Sequence, residues 1–353
     1  MKLIHCADLH LESRMDSSFS VRLAKDRRRE LLLTYKRMIA YAAEQGVAAV
    51  LIAGDLFDSG KVSRRAVRDV LSEMQARPEI TFFYLCGNHD KNNLSSLSAL
   101  PENCKTFSAE WRSYPVGDVV VTGIERFDES AAESLSLDPS ARNVVMLHGQ
   151  LSSGASGNWN INLKSLAGKY IDYLALGHIH SHSFGRIDGR GKYAYSGCLE
   201  GRGFDECGEK GFLLLETEGR EIESTFVPFA SMALHAVNAE LDASLVTRAE
   251  LEARTESAVK DIPASDMVRV SLTGERGAEL TVDTDYLSRV LSEKFRFAKV
   301  IDASRLAVTA DDYKNDVSLK GEFVRLVRGS KLTPEEQDKI LECGIRALRG
   351  EDI

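Results

Sequence analysis

Short apolar runs alternate with amphipathic stretches through the first half of the chain. Residues 48–53 and 80–85 are almost continuously apolar, and residues 2–6 carry Leu3, Ile4 and Cys6; all three predict strands. Between them, residues 21–45 carry Leu31, Leu32, Tyr35, Met38, Ile39 and Ala42 near helical spacing, and residues 63–76 read the same way, so each predicts a helix. Pro78 falls just past the second, where a helix must have ended. Later apolar runs predict strands at 119–123, 143–147, 173–176, 193–196, 212–216 and 224–227. The order β-α-β-α-β followed by strands predicts a layered α/β domain over residues 1–229. Past it, strands at 268–272 and 299–301 around a helix at 286–295 predict a small α/β cap over 230–310. Residues 311–353 then read as a helical segment, with helices at 319–327 and 333–348. Thr333-Pro334-Glu335-Glu336 supplies an N-cap, a first-position proline and first-turn acids.

The 353 residues carry 45 basic and 53 acidic side chains, a net charge of −8. That excludes nucleic-acid binding through bulk positive charge, though not a local basic groove or an acidic site offset by cations. No apolar run approaches the ~20 residues of a membrane span. The N-terminus enters a strand at once, with no leader pattern. The six cysteines are scattered with no C-x-x-C pair, against a zinc ribbon or a disulfide framework. Together these features lead us to expect a cytoplasmic protein.

The histidines change the picture most. Five of the eight sit in short polar motifs directly after predicted strands: Asp8-Leu9-His10, Gly87-Asn88-His89-Asp90, Leu147-His148-Gly149 and Gly177-His178-Ile179-His180, with Gly54-Asp55-Leu56-Phe57-Asp58 beside them. The carboxyl ends of strands in an open α/β sheet are where sites assemble. Aspartate, asparagine and neutral imidazole suit Mn, Fe, Zn or Co, and there are too many donors for one tetrahedral ion. Two ions sharing a carboxylate would use them all. Glycines ahead of Asp55, Asn88 and His178 are expected to allow sharp turns there.

This ordered set resembles the calcineurin-like metallophosphoesterase superfamily. The resemblance implies a four-layer α-β-β-α sandwich, one ion on Asp8, His10, Asp55 and His180, and a second on Asp55, Asn88, His148 and His178. It implies His89 as general acid or transition-state stabiliser, with Asp90 nearby to orient it. Gly54–Asp58, Tyr195-Ser196-Gly197-Cys198-Leu199-Glu200 and the stretch Gly203-Phe204-Asp205-Glu206 through Phe212 are similar to the DNA repair exonuclease branch of SbcD type. That branch implies in-line attack on a DNA phosphodiester by a metal-bridging hydroxide, Mn as working ion, an SMC-like ATPase partner and a homodimer. Asp58 stands where other members carry a second histidine, which bears on the balance of exonuclease and endonuclease action.

Several features admit two readings. Arg22, Lys25, Arg27, Arg28 and Arg29 could meet phosphate or form a solvated face. Arg202 and Lys210, in a glycine-rich stretch with Arg186, Arg190 and Lys192, could follow a nucleic-acid backbone or belong to hairpin turns. Trp159 could stack on a base or anchor a loop. Two rivals to the nuclease reading stay open: a small-molecule phosphodiesterase or phosphatase with the same site, and a non-catalytic assembly subunit.

Overall fold

The computed structural model describes residues 1–15, 19–58, 62–90, 99–152, 159–219, 221–277, 280–308, 313–348 and 350. It divides into two compact units, Met1–Ala233 and Leu234–Ile353.

The first unit is built on two six-stranded sheets. In one, β1 (Lys2–Cys6), β2 (Val47–Ala53), β3 (Thr81–Leu85) and β4 (Cys104–Thr106) run parallel, β13 (Gly211–Glu216) pairs antiparallel with β1, and β14 (Glu223–Pro228) pairs antiparallel with β13. In the other, β6 (Val119–Gly123), β7 (Asn143–His148), β10 (Tyr173–Gly177) and β12 (Lys192–Tyr195) are parallel. Antiparallel β5 (Arg112–Val116) and β11 (Ser183–Arg186) close its two edges, and β8 (Gln150–Ser152) and β9 (Asn160–Asn162) form a separate parallel pair.

Alternation along each strand decides what faces what. Leu3, Ala49, Leu51 and Phe83 of the first sheet share one core with Val121, Val144, Met146 and Ala175 of the second. The odd-numbered set on β2 thus fills the space between sheets, while Val50 and Ile52, also buried, point to the other face. There α1 (Val21–Glu44) packs on β2 and on α2 (Arg64–Gln75), burying Leu31, Tyr35, Met38 and Ile39. Ser20 and Ser63 cap these helices by accepting from Leu23 and Ala66 N–H. The outer face of the second sheet (Val145, Leu147, Leu174 and Leu176) is covered by α3 (Glu129–Ser134) and a 3₁₀ turn at Leu163–Leu166. The architecture is the expected α-β-β-α sandwich, with one helical layer reduced to a single short helix and a turn.

His5 lies in the core of this unit. Tyr173 Oη donates to its Nδ1 (2.9 Å), and its Nε2 donates to the Leu176 carbonyl (3.2 Å). Complete burial lowers its pKa to about 3. The unfolded chain takes up that proton near pH 6.5, so stability is full above pH 6.5 and falls as pH drops toward about 3. The slope attributable to one proton is at most about 1.4 kcal/mol per pH unit. Urea midpoints between pH 7 and 4 are expected to fall less steeply for His5→Gln than for the parent. Equal slopes would remove His5 as a source of acid sensitivity.

The second unit carries a sheet in which β15 (Leu234–Leu241), β16 (Met267–Gly277) and β17 (Phe297–Asp302) are parallel and β18 (Arg305–Ala307) extends β16. Helices α4 (Arg248–Ala258) and α5 (Thr284–Ser292) contribute Leu251, Leu287 and Leu291 to its core. Helices α6 (Leu319–Arg328) and α7 (Pro334–Leu348) place Val324, Val327, Leu341 and Ile345 against Leu306 and Val308. The C-terminal helices therefore share a core with β18.

Candidate metal centre

Because β1, β2 and β3 are parallel, as are β7 and β10, their carboxyl ends deliver the polar motifs to common rims. The loops after β1 and β2 are zipped together. Asp8 and His10 N–H donate to the Gly54 and Asp55 carbonyls, and Asp58 N–H donates back to Leu11. The two sheets meet at the site, where His178 N–H donates to the Asp8 carboxylate at 2.9 Å.

Three donor groups result, one of them at the rim, where His10, Asp58 and His89 present ligand atoms within 4.8 Å of one another. Asp8, His10 and His180 present ligand atoms within 4.8 Å of one another, and so do Asp8, Asp55 and His148. His10 Nε2 lies 3.2 Å from His180 Nε2 and 3.8 Å from Asp55 Oδ2. On the other side Asp55 Oδ2 is 3.3 Å from His148 Nε2. Asn88 Oδ1 is 2.9 Å from both His148 Nε2 and His178 Nδ1. Asp55 therefore lies between His10 and His148, while Asp8 belongs to both groups.

This arrangement fits divalent cations on the chemistry of its donors. His148 Nδ1 donates to the Ala53 carbonyl at 2.9 Å, so in the neutral ring Nε2 is a lone pair. That lone pair faces an amide oxygen and a carboxylate oxygen, neither of which can donate. His180 Nδ1 is held by Glu206 Oε1 at 2.7 Å, which turns its Nε2 lone pair toward His10 Nε2. The His148 contact, acceptor against acceptor, needs an extra proton or a cation between its atoms. The Nδ1 atoms of His10 and His89 are also buried without a hydrogen bond of good geometry.

The backbone is strained where these donors sit. Asp8 (φ 52°), His10 (φ 44°), Asp55 (φ 50°) and His178 (φ 99°) all occupy left-handed conformations, which non-glycine residues rarely adopt. Of the glycines ahead of the motifs, Gly54 has a positive φ of 97°, whereas Gly87 and Gly177 are needed for space. A Cβ on Gly87 would lie 2.2 Å from Asp55 Oδ1, and one on Gly177 would lie 2.0 Å from the Ala53 carbonyl oxygen. At those two positions the requirement is close approach and not the sharp turn expected from the sequence.

Burial dominates the electrostatics. It raises the Asp8 carboxyl to about 6 and lowers His10 to about 4. Burial also pushes Asp55 up, but the hydrogen bond and charge of His148, with His10, outweigh it and leave Asp55 below the ordinary carboxylate range. The site thus holds a persistent anion, Asp55, between His10 and His148, which favours a cation.

His89 stands at the rim with its side chain 39% exposed, its Nδ1 3.2 Å from Asp58 Oδ1 and its N–H donating to Asp55 Oδ1 at 2.7 Å. The hydrogen-bonding influence of Asp58 raises its pKa. Asp90, expected beside His89, instead turns its carboxylate to the N–H groups of Leu56, Phe57 and Gly87. Asp90 pins the loops, and Asp58 takes the orienting position. Asp58 also lies 3.6 Å from His10 Nδ1.

The basic candidates separate. Arg202 is engaged with Glu206, donating from N, Nε and Nη2, while its Nη2 also lies 3.3 Å from His180 Nδ1. Lys210 is buried, its Nζ donating to the His180 carbonyl at 2.9 Å. Arg190 pairs with Asp172 at 2.8 Å. Arg27 is fully buried and donates to Glu30, to Glu200 Oε2 and to the Gly201 carbonyl, while Arg22, Lys25 and Arg29 are exposed. Trp159 packs edge-on against His148, ring centroids 5.6 Å apart.

Within the Gly203–Phe212 stretch the sequence assigns Glu206 no role of its own, because one acid in a glycine-rich loop has no diagnostic spacing. Its bond to His180 Nδ1 fixes the ring that faces the cluster, and such carboxylates tune metal affinity. Glu206→Gln is expected to weaken divalent binding by roughly 10–100-fold, read by calorimetric titration. Unchanged affinity would show that Glu206 only packs the loop.

The calcineurin-like phosphoesterase family model matches residues 1–182. Among curated proteins, the chain is 26% identical to the uncharacterised metallophosphoesterase YhaO of Bacillus subtilis, over 64% of this chain and 60% of that protein. It is 25% identical to the DNA double-strand break repair protein Mre11 of Methanosarcina mazei, over 86% of this chain and 50% of that protein. The chain thus spans half to three-fifths of the length of these relatives. Among solved structures, a dimetal phosphatase from Danio rerio aligns at 12% identity and a TM-score of 0.44, over 64% of this chain and 99% of that one. With the family match spanning more than half of its residues, and the motif residues gathered at one rim, this chain belongs to the calcineurin-like phosphoesterase family.

Proposed function

We propose that this phosphoesterase is a two-metal phosphodiesterase acting on DNA, with Asp8, His10, Asp55 and His180 holding one ion and Asp55, Asn88, His148 and His178 the other. The observation that carries the two-metal reading is Asp55, an anion whose Oδ2 faces His10 on one side and His148 on the other. The DNA reading is supported by the relatives named as DNA double-strand break repair proteins, which match over most of the chain. Ions of the Mn, Fe, Zn or Co class supply Lewis acidity toward phosphoryl oxygens and lower the pKa of water.

The chain's own residues do the rest. Asp58 keeps the His89 imidazole protonated to higher pH, so His89 can give a proton to the departing alkoxide oxygen. The tie from His89 N–H to Asp55 fixes this acid relative to the metal cradle. Glu206 and Ala53 lock His180 and His148 in the tautomers that face the cluster. By the same reading, the protein works as a homodimer with an SMC-like ATPase.

The net charge of −8 favours a small-molecule phosphodiester as the second reading. The test is Mn-dependent cleavage of a labelled linear duplex beside bis(p-nitrophenyl) phosphate at rising salt. Cleavage of the duplex, with affinity falling steeply as salt rises, is the expected result. Hydrolysis of the aryl ester alone, with no cleavage of DNA even when the ATPase partner is added, would replace DNA with a small substrate.

A further inference from the structure

A cavity of about 670 Å³ opens beside the metal centre, lined by Trp111, Phe127, Trp159, Ile124, Arg126 and Glu110 among others. Its volume falls within the ~300–1,000 Å³ range of small-molecule sites. It contains none of the candidate metal ligands, but Trp159 lines it and packs against His148. We propose that this cavity holds an unpaired nucleobase of the DNA strand being cut; the inference rests on the DNA reading above.

The walls suit a planar heteroaromatic. Trp111 has its Nε1–H committed to the Ala131 carbonyl at 2.8 Å, so what it offers a ligand is the face of a fixed ring. Phe127 meets it edge-on, centroids 6.4 Å apart at 74°. Trp159 meets His148 at 87°, which leaves an indole between the cavity and a candidate ligand. Flat aromatic surfaces stack on any base without reading its sequence. Glu110 and Asp128 on the wall can accept from exocyclic amines. Arg126 is exposed on the same wall, where a guanidinium can meet a phosphate. A base against Trp159 is one ring away from the His148 imidazole, which puts its nucleotide next to the metal centre.

The chain's two tryptophans are the two that line this cavity, so intrinsic emission reports on it directly. Titration of the whole protein with deoxyadenosine monophosphate is expected to quench the emission, whereas deoxyribose 5-phosphate, lacking the base, does not. Trp159→Ala is expected to raise KM for a duplex with an unpaired end by roughly tenfold, with kcat within about twofold, and Trp159→Phe should restore most of it. That rescue separates stacking from mere packing. Absence of base-dependent quenching, or an unchanged KM in a folded Trp159→Ala, would overturn the proposal while leaving the nuclease reading intact. Base-dependent quenching in a protein that cuts no DNA would keep the base site and remove the nuclease reading.

Discussion

Asp55→Asn is expected to fold like the parent and to lose its response to divalent ions, with phosphodiesterase activity down by about 10³-fold or more. The choice of asparagine follows from the backbone. Asp55 has a φ of 50°, a conformation that asparagine tolerates and alanine does not, by roughly 1–2 kcal/mol. An amide oxygen can still accept from His89 N–H, as Asp55 Oδ1 does at 2.7 Å. What disappears is the anion between His10 and His148. The readout is twofold: metal content per chain after dialysis, and the rise in melting temperature on adding Mn. The parent should carry two ions and melt higher with metal; the variant should show neither. A variant that keeps both ions and works within tenfold of the parent would show that Asp55 does not bridge. Asp55→Ala, by contrast, mixes charge loss with backbone strain and should melt lower even without metal.

The parts of the fold visible in the sequence are those whose burial leaves a repeating mark. β1, β2 and β3 are covered on both faces, so their apolar runs stand out, and α1 shows its buried stripe. The strands that escape notice are thinly buried. β5 exposes Arg112, Ser113 and Pro115, and β15 buries Leu234, Ala239 and Leu241 but exposes Ala236, Asn238 and Glu240. Helix α4 buries only Leu251 and Thr255, too little for a helical period to emerge. At the site, the donors were legible because strand ends concentrate them in short motifs. Contacts across the fold were not. Asp58 and Asp90 both lie near His89 in motif terms, and sequence adjacency favoured Asp90. Its carboxylate is drawn instead to three backbone N–H groups, because buried N–H groups must be satisfied. The basic run in α1 misleads in the same way. Arg27 is the one member wholly buried, where it neutralises Glu200 beneath the Tyr195–Glu200 motif.

His89→Ala is expected to lower kcat on DNA by about 10²–10⁴-fold, with metal content and DNA affinity unchanged. Its side chain stands at the rim, outside the pairs that link Asn88, His148 and His178, so truncation leaves the cradle intact. The decisive comparison is between leaving groups. A sugar alkoxide is a strong base and gains much from a proton at the moment of departure, whereas p-nitrophenolate departs without one. The loss should therefore shrink to about tenfold or less on bis(p-nitrophenyl) phosphate. Equal losses on both substrates would make His89 an electrostatic stabiliser and not an acid. Asp58 provides the second arm. It raises the His89 pKa, and an acid works only while protonated, so activity falls as pH rises through that pKa. Asp58→Asn removes the raising influence and should move the alkaline limb of the kcat/KM profile to lower pH. A limb that stays in place would assign it to another group.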